Sequence, residues 1–219
     1  MGILGLGSTL CGLLALTLVG CTPSHLASKD HRYVYDGGVV EVFEDYGDCY
    51  LTIDGRITKS LEPTMNEALN NLNRRECLEK IVIISSHGGD LDVAMHLGRE
   101  LRQAKVTTDI HQYCDSACAF VYVGGFRRLA HFRSNISPNS KLGIHQPASD
   151  LLLRKCISLD GQDPAAITKI NNYLAYMLPK SAANYFFATM IAQSCKGLDY
   201  IDSKTMLKVG IATDSPDLH

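Results

Sequence analysis

Tryptophan is absent from this 219-residue chain, and so is an excess of either charge: 21 basic side chains face 23 acidic ones, for a formal net charge of −2. A nucleic-acid partner needs a basic footprint to displace counterions, so the balance excludes that class. No internal repeat and no low-complexity segment occurs, which removes collagen-like architectures. An apolar fraction of 46% with 20% charged residues is that of a globular chain and excludes a disordered tail. The histidines lack metal-ligand spacing, and Cys114 and Cys118 lack a second cysteine pair, so no metal and no cofactor is expected. Charge is also missing from residues 1–21 altogether. Cysteine, in contrast, is plentiful: eight residues are too many for an ordinary cytosolic protein and point to an oxidising compartment.

The apolar run Leu10–Val19 ends in Gly20-Cys21, followed by the polar Thr22-Pro23-Ser24. This junction resembles the bacterial lipobox, where a peptidase cuts before a cysteine whose sulfur already carries diacylglyceryl. The resemblance implies a signal peptide over 1–20 and a membrane anchor at Cys21. Thr22 stands where an aspartate would retain the protein at the inner membrane, so an outer-membrane position facing the periplasm is expected. A short transmembrane anchor or an ordinary secretory leader are the alternatives. Residues 21–32 are polar and read as a tether, which leaves 33–219 as one domain.

Within that domain, Val39–Phe43 and Cys49–Ile53 are short β-rich runs separated by a turn-like Asp45-Tyr46-Gly47-Asp48. Apolar spacing predicts a helix over 63–72. Ile81–Ile84 has the continuous apolar character of a buried parallel strand. It ends in Ser86-His87-Gly88-Gly89, after which Asp90 opens an amphipathic helix carrying Leu91, Ala94, Leu97 and Leu101. Strands at Thr107–Ile110 and Leu142–Ile144 follow, then helices over 165–177 and 182–192. Asp202 or Ser203 caps a short final helix that Gly210 stops. Alternating strands and helices with glycine-rich strand ends mean an α/β fold. Arg127-Arg128 reads as a solvated loop, with substrate or partner contact as the alternative; His87 reads as an exposed loop residue, with a substrate-facing position as the alternative, and His96 as a surface residue.

Three stretches carry chemistry: Ser86-His87-Gly88-Gly89 at a strand end, Ser116 among the small residues of Cys114-Asp115-Ser116-Ala117-Cys118, and Pro138-Asn139-Ser140 through Ile144-His145-Gln146-Pro147. In this order they resemble the ClpP/crotonase superfamily, and within it the Clp protease-like serine hydrolases. The late segment Asp202–Ile211 fits the same pattern. The resemblance implies a core of repeated β-β-α units in a superhelical spiral, with a late helical segment. It implies Ser116 as nucleophile, His145 as general base, and the amides of Gly89 and Ala117 as oxyanion hole. A peptide or protein substrate and a homo-oligomer are implied as partners. The aspartate that orients the histidine in Clp-type proteases has no direct match; the expected position falls near Ser194. Asp199 is the nearest candidate, with Asp202 behind it and a Ser–His dyad as the alternative. An acyl-CoA-handling crotonase conflicts with export, whereas a binding or scaffold lipoprotein that has lost its chemistry does not.

Removing Cys11 with the leader and assigning Cys21 to lipid leaves six cysteines. An even number in an oxidising compartment predicts disulfides, for which we take the pairs Cys49–Cys77, Cys114–Cys118 and Cys156–Cys195.

Overall fold

A computed structural model of the chain describes residues 30–131, 140–147, 164–194 and 196–216. Strands β1 (His31–Tyr35), β2 (Gly38–Asp45) and β3 (Asp48–Gly55) form an antiparallel meander. Tyr46 and Gly47 join β2 to β3 with φ of 49° and 86°. Two consecutive positive φ values give a tight turn whose twist matches that of the flanking strands. Val40, Val42, Leu51 and Ile53 turn one face of the meander into the core. β1 starts at His31, paired with Val42, so the last two residues of the expected tether belong to the sheet.

From β3 the chain alternates through α1 (Leu61–Asn73), β4 (Lys80–Ser86), α2 (Leu91–Gln103) and β5 (Thr107–Asp115), and β3, β4 and β5 run parallel. Parallel neighbours need a crossover, and the two helices supply it. Helix α3 (Cys118–Val123) leaves the end of β5, and all six of its residues are buried. The short β6 (Arg127–Arg128) pairs with the beginning of β5, and β7 (Lys141–Ile144) pairs with its end. After α4 (Pro164–Met177) and α5 (Lys180–Ala192), β8 (Asp199–Asp202) adds antiparallel to β7 and leads into α6 (Ser203–Val209). The sheet order is β1-β2-β3-β4-β5-β7-β8, with β6 beside β5. The fold is mixed α/β, as the strand–helix alternation predicts.

Arg127 and Arg128 correct the sequence reading of a solvated loop. Arg127 remains exposed and bridges Glu79 and Asp214 at 2.6 and 2.7 Å. Arg128 is only 3% exposed. Its guanidinium donates to the carbonyls of Ile211 and Gly125, and its backbone N–H donates to Thr213 Oγ1. Burial pushes the guanidinium down to about 10. The side chain is buried because residues 211–214 lie along β6, where the Leu129–Asp214 bridge fastens them.

The disulfides Cys49–Cys77 and Cys114–Cys118 are formed as expected. Cys156 and Cys195 lie outside the described residues, as do the leader, Cys21 and the Pro138-Asn139 motif. Among the described residues no helix is long and apolar enough to cross a membrane, and no group of histidines, cysteines and acids could hold a metal ion.

Candidate active site

Three strand ends meet at one cavity of about 250 Å³, lined by His87, Gly89, Ser116, Ala117 and His145, with Arg56, Leu91, Phe120 and Pro147 completing its walls. The first wall begins where β4 stops. Ser86 Oγ accepts from Gly88 N–H at 3.0 Å and folds the chain back on itself. Ile57 then straps the loop, donating to Gly88 O at 3.0 Å and accepting from Asp90 N–H at 2.8 Å. Both glycines are required by space as well as by conformation. At Gly88, with φ of 86°, an added Cβ would lie 2.6 Å from Asp115 O and 2.8 Å from Ser116 Cβ. At Gly89, with φ of 152°, it would lie 2.1 Å from Ile57 O. Asp90 then caps α2, accepting from Asp92 N–H at 2.9 Å and Val93 N–H at 3.2 Å. The positive end of α2 therefore opens beside the cavity.

The second wall is the turn between β5 and α3. Ser116 has φ of 58°, a left-handed conformation that costs a non-glycine residue roughly 1–2 kcal/mol. Strain of this kind persists where the surroundings enforce it. Here Ser116 N–H donates to Gly143 O at 2.7 Å, Gly88 packs against the serine Cβ, and the Cys114–Cys118 disulfide brackets the turn. The N–H groups of Gly89 and Ala117 are given to no other group among the described residues. Two free donors thus stand on the same cavity as the serine hydroxyl.

His145 follows β7 as the third wall. Its Nδ1 lies 2.6 Å from Gln146 O, and the Gln146 amide donates to Ile191 O at 2.7 Å, pinning the segment to α5. A carbonyl can only accept, so Nδ1 carries the proton and Nε2 is left basic. Asp199 is the first residue of β8 and stands opposite Ile144, exposed. Its carboxylate makes no hydrogen bond or ion pair with a described residue, His145 included. Asp202 is committed elsewhere. It caps α6 through Thr205 N–H at 2.7 Å, and that hydrogen bond holds its carboxyl below the usual range.

His87, which lines the same cavity as His145, forms with Asp115 an acid–base pair that the sequence reading did not single out. His87 Nδ1 is 2.8 Å from Asp115 Oδ2, and the His87 ring stacks on Tyr113 with centroids 3.8 Å apart. Asp115 is 4% exposed. Burial first, and then the Asp115 charge, raise the Tyr200 phenol above its ordinary value. His96 behaves as expected, half-exposed between Glu62 and Glu100.

No protein-family profile matches the chain, and no curated protein matches it significantly in sequence. Solved structures do match. ClpP1 from Listeria monocytogenes superposes with a TM-score of 0.56 at 16% identity, over 76% of this chain and 89% of that one. A mutant of a membrane-bound stomatin-specific protease gives 0.55 at 13% identity, over 75% and 76%. An enoyl-CoA hydratase from Mycobacterium marinum gives 0.53 at 14%, over 80% and 76%. A likeness to proteases and a hydratase at such low identities shows architecture alone. The chain therefore has the ClpP/crotonase fold.

Proposed function

We propose that the chain is an exported serine hydrolase acting on peptides, with Ser116 as nucleophile and His145 as general base. The observation that carries this reading is the convergence on one cavity of a strained serine, an imidazole with its Nε2 free, and the unspent N–H groups of Gly89 and Ala117. His145 Nε2 takes the proton as Ser116 Oγ attacks a carbonyl carbon. The oxygen that becomes negative is received by the two N–H donors, whose positions are fixed before the reaction. The Gln146 carbonyl does for the tautomer what an aspartate does in a complete triad; it supplies orientation without charge.

The test is labelling of the purified mature chain with a fluorophosphonate probe. Labelling of the native chain, lost in Ser116→Ala and in His145→Ala, is the expected result. A folded native chain that does not label would instead be a binding lipoprotein, the reading that the unconnected Asp199 favours.

Lipid anchoring at Cys21 belongs to the same proposal. Its support is the apolar run ending at Gly20-Cys21, together with two disulfides that suit an oxidising compartment. Radiolabelled palmitate should be incorporated by the native chain in bacterial cells and not by Cys21→Ala. Equal incorporation by both would remove Cys21 as the anchor.

A further inference from the structure

We infer that His87, held by Asp115, is a second acid–base group of the Ser116 cavity, serving the leaving group and the water while His145 serves the serine. The inference rests on the serine-hydrolase reading above. His87 and His145 both line the cavity, so the site holds two imidazoles and not one. They are held differently. His145 leans on a carbonyl, whereas His87 Nδ1 engages a carboxylate at 2.8 Å. Both partners orient a ring, and the carboxylate in addition stabilises its protonated form by charge.

The carboxylate is fixed by the fold. Asp115 ends β5 beside Gly143 of β7, and a Cβ on Gly143 would lie 2.3 Å from Asp115 Oδ1. That oxygen is buried and takes no hydrogen bond, so Oδ2 is the working oxygen of the group. The ring is fixed as well, stacked on Tyr113 with the planes 1° apart. Nδ1 being spent on Asp115, Nε2 is the nitrogen left, and it takes no partner among the described residues. The His87 side chain is 67% exposed, which keeps that nitrogen open to water.

The proton inventory closes over one cycle. In acylation, Ser116 Oγ bonds to the carbonyl carbon and its proton passes to His145 Nε2. The bond from that carbon to the leaving nitrogen breaks, and the nitrogen takes the Nε2 proton of His87, which enters the cycle as an imidazolium paired with Asp115. In deacylation, His87 Nε2 takes a proton from water as the water oxygen bonds to the acyl carbon. The carbon–Oγ bond breaks, and Oγ recovers its proton from His145. Both rings end as they began, and His87 acts as acid in one half and base in the other.

The test uses His87→Asn, whose amide can still donate to Asp115 while the second ring nitrogen is gone. Two probes separate the steps. A fluorophosphonate reports attack by Ser116 and expels fluoride, which needs no proton donor. A p-nitrophenyl ester also expels its leaving group unaided, but must then be released from Ser116 by water. We expect His87→Asn to label at close to the native rate. With the ester it should give a burst of one equivalent of nitrophenol and then turn over roughly 100-fold or more slower than the native chain. Asp115→Asn should move the same way if it folds; His87→Asn decides the matter alone, because the residue is exposed. Native turnover by His87→Asn would overturn the inference, as would loss of labelling in parallel with His145→Ala, which would make His87 the base for Ser116. A native chain that labels but does not turn over the ester would also overturn it. Failure of the native chain to label would sink the hydrolase reading itself, a distinct outcome.

Discussion

Gly89→Ala should slow fluorophosphonate labelling of Ser116 by about 100-fold or more and destabilise the fold by about 2–5 kcal/mol, from left-handed strain and overpacking together. The expectation follows from a single added carbon. At φ of 152° the backbone occupies a region that only glycine enters readily, and the new Cβ would press to 2.1 Å from Ile57 O. Relief requires the loop to leave Ile57, which breaks the hydrogen bonds from Ile57 N–H to Gly88 O and from Asp90 N–H to Ile57 O. The Gly89 N–H then no longer points where the proposed oxyanion forms. Loss of one such donor slows acyl transfer by about 100- to 1,000-fold. Gly88→Ala should behave similarly, since its Cβ would strike Asp115 O and the serine itself. Gly47→Ala provides the control, with a comparable φ of 86° in the β2–β3 turn, where the nearest atom is a movable Leu78 methyl at 3.3 Å. It should label normally and lose about 1 kcal/mol. Native labelling rates and an unchanged melting temperature in Gly89→Ala would refute this account of the loop.

Replacing Cys49 and Cys77 together by alanine should lower stability by about 3–4 kcal/mol, a fall of roughly 7–14 °C in melting temperature. The bridge joins residues 28 apart in sequence, tying the start of β3 to the segment between α1 and β4. A cross-link over that span removes much freedom from the unfolded chain. The Cys114–Cys118 bridge spans only 4 residues and restricts the unfolded chain far less, by about 2 kcal/mol. Its removal should therefore be felt more by the Ser116 turn than by global unfolding. Thermal and urea unfolding of the two double variants, alongside their labelling rates, measures both halves of the contrast. A Cys49/Cys77 variant within 1 kcal/mol of the native chain would show that the loop is already restrained without its bridge.

Much of this site could be read before any coordinates. Ile81–Ile84 announced a buried strand because both faces of β4 are covered, leaving no polar alternation to blur the signal. Asp90 and Asp202 were legible as caps because a carboxylate before an amphipathic run has a local job, which here is met by backbone N–H groups two or three residues on. The Ser116 turn was legible through its resemblance to the small-residue nucleophile turn of Clp-type proteases, since a serine among small residues at a helix start is otherwise an ordinary buried position. β1 and β8 were not, since short edge strands carry few apolar residues, and β8 shows only Ile201 to the core. The His87–Asp115 pair was illegible for a different reason. It depends on the register of β4 against β5, which shifts between Ile84 and Ser86 and sets Ser86 opposite Cys114. No local pattern encodes that shift. Arg128 misled in the same way: two adjacent arginines look solvated until a distant segment, residues 211–214, folds across one of them.

The placement of β7 between β5 and β8 has a consequence for the order in which the molecule becomes competent. The Ser116 turn is built on β4, β5 and α3 from the middle of the chain and is completed by Gly143 O of β7. His145 hangs from a four-residue strand whose outer edge is secured only by β8, and residues 211–214 must close over β6 after that. Such long-range closure comes late and slowly compared with local pairing. A polypeptide still emerging from the ribosome thus carries Ser116 before His145 is seated. On the proposed chemistry, competence arrives with the final stretch of chain, and the fold keeps the unfinished molecule inert.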